Sequence, residues 1–347
     1  MKYMYLFLFI AFCSCSKNKT YDDSVMFNAE SFSEEVNLSG EIVQFDSIIM
    51  HPVDIIAHDS LLLTIDYGCE KLFSIFNMNT KKKIRECIMK GQGPNEMLKP
   101  RFVGIDDQKI QIFDMATSNI ITYNTSEFIY AENPMPTNKV KLEKSVFINV
   151  GKTSDRMFGY SYDVNHQLYV FDSTGKKVDE IIEHPTTSYL SYSDAEKLDA
   201  FYMNFITNGV DKIALCYSMT DLIEIYKTNG LLEKRLHGPE HFFSYFKEYH
   251  DGDIISSSPV KGKNKDAYFS PENAGDVFFV LYNGGYIDDE NHNSLCRYLY
   301  SISWEGIPQK KYILDNAIFS FAVDMKHKKI YGISNTPEYH IVEYAYN

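Results

Sequence analysis

The sequence is short of basic charge and of long apolar runs. Its 47 acidic residues outnumber its 34 basic residues and give a formal charge of −13. Nucleic-acid binding relies on basic stripes, so this charge argues against a nucleic-acid partner. Charged residues make up only 23% of the chain, which also argues against an intrinsically disordered protein.

No apolar stretch at the N-terminus is long enough to cross a bilayer, which takes about 20 residues. The stretch at residues 3–12 follows Lys2. A basic start and an apolar run of about ten residues are typical of a secretory signal peptide. We therefore predict a signal peptide over residues 1–14.

The cysteine after this run predicts a lipid anchor. Ser14 before Cys15 resembles a bacterial lipobox, although Phe12 and Cys13 depart from its usual leucine and small residue. An ordinary cleaved signal or a buried N-terminal strand are the alternatives. We predict lipid attachment at Cys15, a tether over 15–35 and a cell-envelope lipoprotein held stably by its acyl chains. No acidic pair follows the cysteine, which favours the periplasmic side of the membrane over the cell surface.

The remaining cysteines lack the spacing of a metal or redox site. They stand singly within apolar runs, without a C-x-x-C pair. An exported chain could pair them as disulfides, but we predict buried free thiols at Cys69, Cys87, Cys216 and Cys296.

Aromatic residues are abundant, with 26 tyrosines and 24 phenylalanines beside one tryptophan and 18 glycines. This composition favours β-structure. From about residue 40, short apolar segments alternate with polar turns, and helical periodicity is almost absent. Such spacing indicates a sandwich, a barrel or a propeller.

A repeated unit distinguishes among these folds. Each unit has a strand ending in an aromatic residue or isoleucine, then a polar turn that often closes with glycine. The intervals between units are 47, 48, 55 and 76 residues, and two further short strands precede each one. A period near fifty with four strands per unit is typical of propeller blades. The anchor residues are Phe76, Tyr123, Phe171, Tyr226 and Ile302.

Counting these units predicts an all-β, six-bladed propeller over residues 36–347, with seven blades a poorer fit. The last set has three strands, at 318–323, 329–333 and 340–346, and lacks a fourth. The spare strand at 41–47 could complete this blade and hide the edge that an open ring leaves. The longest interval holds an insertion at 237–275, whose aromatic residues Phe242, Tyr245, Phe246 and Tyr249 have helical spacing and predict a short amphipathic helix.

The loop at 91–96, Gly-Gln-Gly-Pro-Asn-Glu, resembles the G-x-G-P-x-E loop of the TolB-like and NHL-like six-bladed propeller lipoproteins of Bacteroidota. Further matches lie in the C-terminal third, at Asp266–Tyr268, Val280–Gly284 and Trp304–Gly306. The resemblance covers nearly the whole chain after the signal. It implies a fold and a location, and it brings no established activity.

Three motifs suggest ligands, and each has a structural alternative. The Gly91–Pro94 loop lacks the helix and lysine of a phosphate-binding loop, so we predict an inter-blade turn. His237 and His241 bracket Glu240, but Gly238-Pro239 breaks the helix that a zinc motif needs. The acidic run at 288–291 suits calcium chemically but lacks the order of a calcium loop, which favours a solvated hairpin tip.

Propeller hydrolases and lactonases hold a metal with side chains from their inner strands. The corresponding candidates here are Asp54, Asp106, Asn204 and Asp324, which could equally accept hydrogen bonds in turns. No G-x-S-x-G motif is present. We therefore expect a non-enzymatic binding module for a protein, peptide or glycan, without a cofactor or metal. The alternative is a metal-dependent hydrolase or lyase with its site in the central channel.

Overall fold

The computed structural model describes residues 19–143, 147–160 and 162–346. It begins with an N-terminal segment that precedes the first blade. This segment contains a single turn of 3-10 helix, Ala29–Ser31, and three short strands: β1 (Ser24–Met26), β2 (Glu34–Leu38) and β3 (Glu41–Ile42).

The first three blades each take four consecutive strands, from the innermost to the outermost. Blade 1 contains β4 (Pro52–His58), β5 (Leu61–Asp66), β6 (Lys71–Asn77) and β7 (Lys82–Met89). Blade 2 contains β8 (Pro100–Ile105), β9 (Lys109–Asp114), β10 (Asn119–Asn124) and β11 (Pro136–Lys141), with helix α1 (Thr125–Tyr130) before its last strand. Blade 3 contains β12 (Asn149–Lys152), β13 (Met157–Tyr160), β14 (Leu168–Phe171) and β15 (Lys177–Ile181).

The last three blades follow the same order, with two insertions. Helix α2 (Asp194–Ala200) precedes blade 4, which contains β16 (Met203–Thr207), β17 (Lys212–Tyr217), β18 (Leu222–Lys227) and β19 (Leu232–His237). A separate hairpin, β20 (Phe246–Asp251) and β21 (Ile254–Pro259), precedes blade 5, which contains β22 (Tyr268–Ala274), β23 (Val277–Tyr282), β24 (Cys296–Ser303) and β25 (Pro308–Ile318). Blade 6 contains β26 (Ser320–Asp324), β27 (Lys329–Ser334) and β28 (His340–Ala345).

The N-terminal segment closes the ring, so the predicted six-bladed architecture is confirmed. Strand β3 pairs antiparallel with β28, where Ile42 lies opposite Val342, and thereby supplies the fourth strand of blade 6. The Val43 N–H extends this pairing by donating to the Ile341 carbonyl at 2.8 Å. The closing strand is shorter than the predicted 41–47, because residues beyond Val43 form the connection into blade 1.

The same segment also adds a fifth strand to two other blades. Strand β1 pairs in parallel with β19, and β2 pairs in parallel with β25. Tyr21, Phe27 and Phe32 are each less than a tenth exposed. The structure therefore places residues 21–35 of the predicted tether on the propeller, because their aromatic side chains are buried there. The predicted signal peptide and Cys15 lie outside the described residues.

Buried apolar side chains of the described chain form six clusters, one between each pair of neighbouring blades. Alternation along the middle strands explains this arrangement. In β17, Ile213 and Leu215 face blade 3, whereas Ala214 and Cys216 face blade 5. A middle strand is thus buried on both faces and reads as an almost continuous apolar run.

The repeated sequence unit marks a β-bulge. Each anchor residue lies on the third strand of its blade, where the register against the fourth strand shifts by one residue. The extra residue strengthens the local twist. In three of the following turns a glycine takes a positive φ, at Gly175, Gly230 and Gly306.

The helix predicted within the insertion is wrong. Phe246 and Tyr249 belong to the hairpin of β20 and β21, and Phe242 and Tyr245 lie in the connection before it. Gly252 adopts a positive φ of 60° at the tip and allows the chain to reverse. A hairpin satisfies the backbone of the Ile- and Ser-rich return strand, which a single helix over 242–249 would leave unpaired.

The six inner strands β4, β8, β12, β16, β22 and β26 contact one another around the axis. Because every blade repeats the same order, they all run in the same direction. Turns between first and second strands therefore lie on one face, which we call the short-hairpin face. The long inter-blade connections, at 43–51, 90–99, 182–202 and 238–267, lie on the other, the long-loop face. In the described part of the chain, no helix is long and apolar enough to cross a membrane.

Candidate functional site

The four channel candidates lie at two different levels of the inner strands. Asp54 and Asn204 occupy the third and second positions of β4 and β16, near the long-loop face. Asp324 ends β26, and Asp106 directly follows β8, near the short-hairpin face. At about 3.3 Å per residue these levels are roughly 10 Å or more apart along the axis. The four side chains therefore do not surround one point.

Asp54 joins blade 1 to blade 2. Its Oδ2 accepts the backbone N–H of Phe102 at 2.8 Å, and its Oδ1 accepts that of Ile55 at 3.0 Å. The Arg101 guanidinium strengthens the junction by donating to the Val53 carbonyl at 2.6 Å. The carboxylate thus satisfies a donor on the inner strand of the next blade.

Asn204 takes part in a similar junction between blades 4 and 5. Its Nδ2 donates to Ser218 Oγ at 3.2 Å, and that hydroxyl donates to the Tyr268 carbonyl at 3.0 Å. Between blades 3 and 4, the Thr207 hydroxyl donates to the Lys152 carbonyl at 2.6 Å. Polar groups of the inner strands therefore connect neighbouring blades.

Asp106 and Asp324 accept hydrogen bonds within turns. Asp106 Oδ1 receives the N–H groups of Gln108 and Lys109, both at 2.9 Å. Asp324 Oδ1 receives the His327 N–H at 3.0 Å, and its Oδ2 lies 2.7 Å from His327 Nδ1. Both carboxylates thus stabilise the turn that leads from the first to the second strand.

Glu272 is a channel carboxylate that the sequence reasoning missed. It lies on β22, and burial, followed by the charge of Asp54, raises the pKa of its carboxyl well above the ordinary value. Burial also raises the pKa of Asp54, while Arg101 and two backbone N–H groups oppose that rise. Two inner-strand carboxyls with raised pKa values mark a candidate site. Within the described chain, however, neither carboxylate belongs to a group of three ligand residues.

One group in the described chain has the geometry to hold a cation. His58, Asp59 and Asp107 each present a ligand atom, all within 4.8 Å of one another, on the short-hairpin face. The Lys326 ammonium lies 2.7 Å from Asp59 and already neutralises that carboxylate. His58 Nε2 lies 3.5 Å from the Asp107 carboxylate, so the other two residues of the group can pair with each other without a metal.

The Gly91–Glu96 loop connects blade 1 to blade 2, as the sequence predicts. Glu96 folds back over it and accepts the Gly93 N–H at 2.8 Å. A Cβ on Gly91 would lie 2.0 Å from Glu96 Oε2, so the glycine leaves the space that this carboxylate fills. Asn95 anchors the loop, because its amide donates to the Pro134 carbonyl and accepts from Tyr123. The loop's own side chains therefore occupy the space that a phosphate would need.

The His237, Glu240 and His241 side chains point to three different partners. His237 Nε2 lies 3.3 Å from the buried Asp221, and His241 donates to the Phe27 carbonyl at 2.8 Å. Glu240 accepts the Tyr282 hydroxyl at 3.0 Å and pairs with Lys265. This motif anchors the connection between blades 4 and 5.

The acidic run at 288–291 lies in the connection between β23 and β24, on the long-loop face. Asp288 accepts the Gly262 N–H at 2.6 Å, and Asp289 accepts the Asn291 N–H at 2.8 Å. One carboxylate therefore joins this connection to the preceding inter-blade loop, and the other shapes a turn.

An open depression beside this run is the candidate binding site. It has a volume of about 500 Å³ and lies between the 283–295 connection of blade 5 and the 335–339 connection of blade 6. Its lining is mainly polar, with amide, tyrosine, histidine, arginine and carboxylate groups. The principal ones are Asn283, Tyr286, His292, Arg297, Tyr298 and Asn316.

Within the depression, some side chains are fixed and others are available. His292 Nε2 lies 3.0 Å from Asp266, which is fixed at the base of the loop. Arg297 is exposed and forms no hydrogen bond or ion pair with another described residue. Tyr286 is 47% exposed, and the Lys265 ammonium lies 4.9 Å from its ring.

The length of the connection between β23 and β24 was the sequence signal that could have revealed this depression. Thirteen residues connect these strands, whereas four residues connect the second and third strands of blades 1, 2 and 4.

The four cysteines of the described chain are free thiols. Cys87, Cys216 and Cys296 are buried, and Cys69 is half-buried. Burial raises the pKa of the Cys87 thiol to about 12. A thiol with so high a pKa is a poor nucleophile at neutral pH.

Comparison with family models supports the six-bladed architecture. A model of TolB-like 6-blade propeller-like proteins matches residues 30–326. The chain belongs to this TolB-like family. A comparison with curated protein sequences gave no match.

Two solved structures share the fold of this TolB-like propeller. A member of the DUF4221 family from Bacteroides vulgatus aligns with a TM-score of 0.51 and 8% identity, over 89% of this chain and 96% of its own. Raptor from Chaetomium thermophilum aligns with a TM-score of 0.51 and 9% identity, over 89% of this chain and 29% of its own. At such identities the likeness shows the fold alone.

Proposed function

We propose that this TolB-like propeller is a lipid-anchored binding module of the cell envelope, on the periplasmic side of the membrane. It binds a protein, peptide or glycan through its long-loop face. The depression beside the 283–295 connection carries this proposal, because it is open, polar and built from loops on a rigid scaffold.

The chemistry of the depression suits a partner rich in hydrogen-bonding groups. Tyr286 and Tyr298 offer aromatic faces, and Asn283 and Asn316 contribute amides. The Arg297 guanidinium is available to a carboxylate or another anionic group of the partner, since arginine recognises such groups with two parallel hydrogen bonds.

Affinity capture with matched variants tests the binding proposal. The mature protein is used to capture partners from its own envelope, which mass spectrometry then identifies, beside Arg297→Ala and Tyr286→Ala variants. We expect either variant to weaken binding of the captured partner at least tenfold, because each removes an exposed group from the depression. A Leu231→Ala variant, altered on the short-hairpin face, serves as the control. Equal binding by all four proteins contradicts the proposed site.

The anchor has its own test. We expect a Cys15→Ala variant to lose fatty-acid labelling and to leave the membrane fraction, because Cys15 is the cysteine that directly follows the predicted signal. Unchanged labelling and membrane association would show that the lipid is not attached at Cys15.

The alternative of a metal-dependent hydrolase or lyase has less support. The four channel candidates lie at two levels, and each accepts or donates hydrogen bonds that hold turns or neighbouring blades. In the described ranges, the group that could hold a cation lies on the short-hairpin face, where Lys326 neutralises it.

A further inference from the structure

Residues 19–22 are fixed to the long-loop face. The Thr187 hydroxyl donates to the Thr20 carbonyl at 2.7 Å, and the Thr186 hydroxyl donates to the Asp22 carboxylate at 2.7 Å. The Tyr21 ring is buried and stacks on Phe243 at a centroid distance of 4.7 Å. The N-terminal segment therefore joins the propeller at the rim of blades 3 and 4.

Lys19 follows Cys15 by four positions, with only three residues between them. A fully extended chain covers at most about 3.6 Å per residue, so these two Cα atoms are no more than about 14 Å apart. If Cys15 carries the acyl chains, as the proposed function requires, Lys19 lies within about 14 Å of the lipid attachment point. Such a short tether cannot hold the propeller far from the bilayer, and it brings this rim towards it.

The rim carries a raised structure, which we call the cap, formed by α2 and by the hairpin of β20 and β21. The Glu248 N–H donates to Glu196 of α2 at 3.1 Å, and the Ser257 hydroxyl donates to Asp199. Tyr189 extends the cap towards the tether, because its hydroxyl lies 3.4 Å from that of Tyr245. The cap is thus attached to the body and adjoins the point where the tether arrives.

Tyrosine rings and an isoleucine lie on the exposed surface of the cap, and a lysine lies near each of two rings. The Lys19 ammonium lies 4.6 Å from the Tyr189 ring, and the Lys247 ammonium lies 5.8 Å from the Tyr249 ring. Tyr249 is 50% exposed, and on the same face of the hairpin Ile254 is 68% exposed. Tyrosine is enriched at the level of lipid headgroups. The two elements of the cap hold six carboxylates and two lysines, so contact with lipid depends on these aromatic and apolar side chains and not on charge.

From these observations we infer that the cap is the membrane-contacting surface of the protein. Tyr189, Tyr249 and Ile254 lie at the lipid–water interface. The molecule tilts so that this rim, and not the whole long-loop face, meets the bilayer, which leaves the depression of blades 5 and 6 open to a partner. This inference rests on the proposed lipid anchor, and it adds the orientation that the anchor imposes.

The chain allows a clean fluorescence test of this orientation. Trp304 is its only tryptophan, and the Trp304 Nε1 has no hydrogen-bond partner in the described structure, so a Trp304→Phe background loses no hydrogen bond. Tyr189→Trp and Tyr249→Trp then report from the cap. Leu231→Trp, 57% exposed on the opposite face of blade 4, is the control.

The mature protein, with Cys69→Ser so that Cys15 is the accessible thiol, is coupled to maleimide-headgroup lipids in zwitterionic vesicles containing brominated phospholipid. We expect emission from positions 189 and 249 to fall at least twofold relative to vesicles without bromine, and emission from position 231 to stay unchanged. Quenching at 231, or none at 249, overturns the inference. Quenching at position 189 without quenching at position 249 also overturns the inference, because the short tether alone brings position 189 near the lipid. The exposed hairpin would then be a surface for a protein partner.

This experiment separates the inference from the proposed function, because the coupling supplies the anchor chemically. Absence of fatty-acid labelling at Cys15 in cells would overturn the proposed anchor whatever the vesicles show. Labelling in cells together with an unquenched position 249 would overturn the orientation alone.

Discussion

At the scale of single residues, the carboxylates of the channel differ in what surrounds them. Asp54 accepts two backbone N–H groups and faces Arg101. The Glu272 carboxylate accepts no hydrogen bond from another described residue, and both burial and Asp54 disfavour its charged form. Ionising Glu272 in the folded protein therefore costs stability. Carboxyl groups with such perturbed pKa values are common at functional sites.

The pKa of Glu272 predicts a pH-dependent effect of its replacement. Because its folded-state pKa is raised, the folded protein holds more protons than the unfolded chain between the ordinary and the raised pKa. Wild-type stability therefore falls as pH rises through that window. We expect Glu272→Gln to be more stable than wild type at pH 8 and equal to it below pH 4.

Urea unfolding of both proteins from pH 4 to pH 8 measures this difference. Glu132→Gln, at an exposed glutamate, is the control, and its free energy of unfolding should change with pH as that of wild type does. The prediction is contradicted if the free energy of unfolding of Glu272→Gln also changes with pH as that of wild type does.

At the scale of elements, the N-terminal segment fastens blades 4, 5 and 6 from outside. Strands β1, β2 and β3 each add to the outer edge of one of these blades. Arg235 of β19 helps to hold the segment, because its guanidinium donates to the Asp22 carbonyl and to the buried Glu224. Covering outer strands in this way also leaves fewer edges open to aggregation.

Tyr21 is the anchor that this segment depends on. It is 1% exposed, stacks on Phe243 and hydrogen-bonds Thr220. We expect Tyr21→Ala to lower the free energy of unfolding by about 3 kcal/mol, as large-to-small core substitutions do. Limited proteolysis should then cut the N-terminal segment sooner. Val25→Ala, at an exposed position of the same segment, should change the free energy by less than about 0.5 kcal/mol.

At the scale of the whole molecule, stability depends on ring closure. Six apolar clusters lie between blades, so each blade is covered on both sides only when the ring is complete. Closure depends on a short contact between β3 and β28, extended by the Val43 N–H. Opening this contact would expose the edge of β28.

Val43→Pro tests the closure, since proline removes the N–H that bonds the Ile341 carbonyl. We expect the free energy of unfolding to fall by about 1–3 kcal/mol. We also expect size-exclusion chromatography to show concentration-dependent association through the freed edge. Ile48→Pro, in the exposed connection that follows, is the control. A monomeric Val43→Pro protein with wild-type stability would show that the ring does not need this contact.

The amino-acid sequence by itself determined the blade and the blade count, because turn chemistry and strand alternation are local. The closure followed from the count, which left one strand over at the N-terminus and one strand missing from the last blade. The anchor aromatics and the loop at 91–96 could therefore be interpreted from their spacing. Only the tertiary structure decided that Tyr21 is buried against Phe243 and that the charge of Asp54 acts on Glu272. Such contacts join residues about 200 positions apart, and no local pattern encodes them. The aromatic spacing at 242–249 fits either a helix or a strand, and pairing with the return strand decided between them.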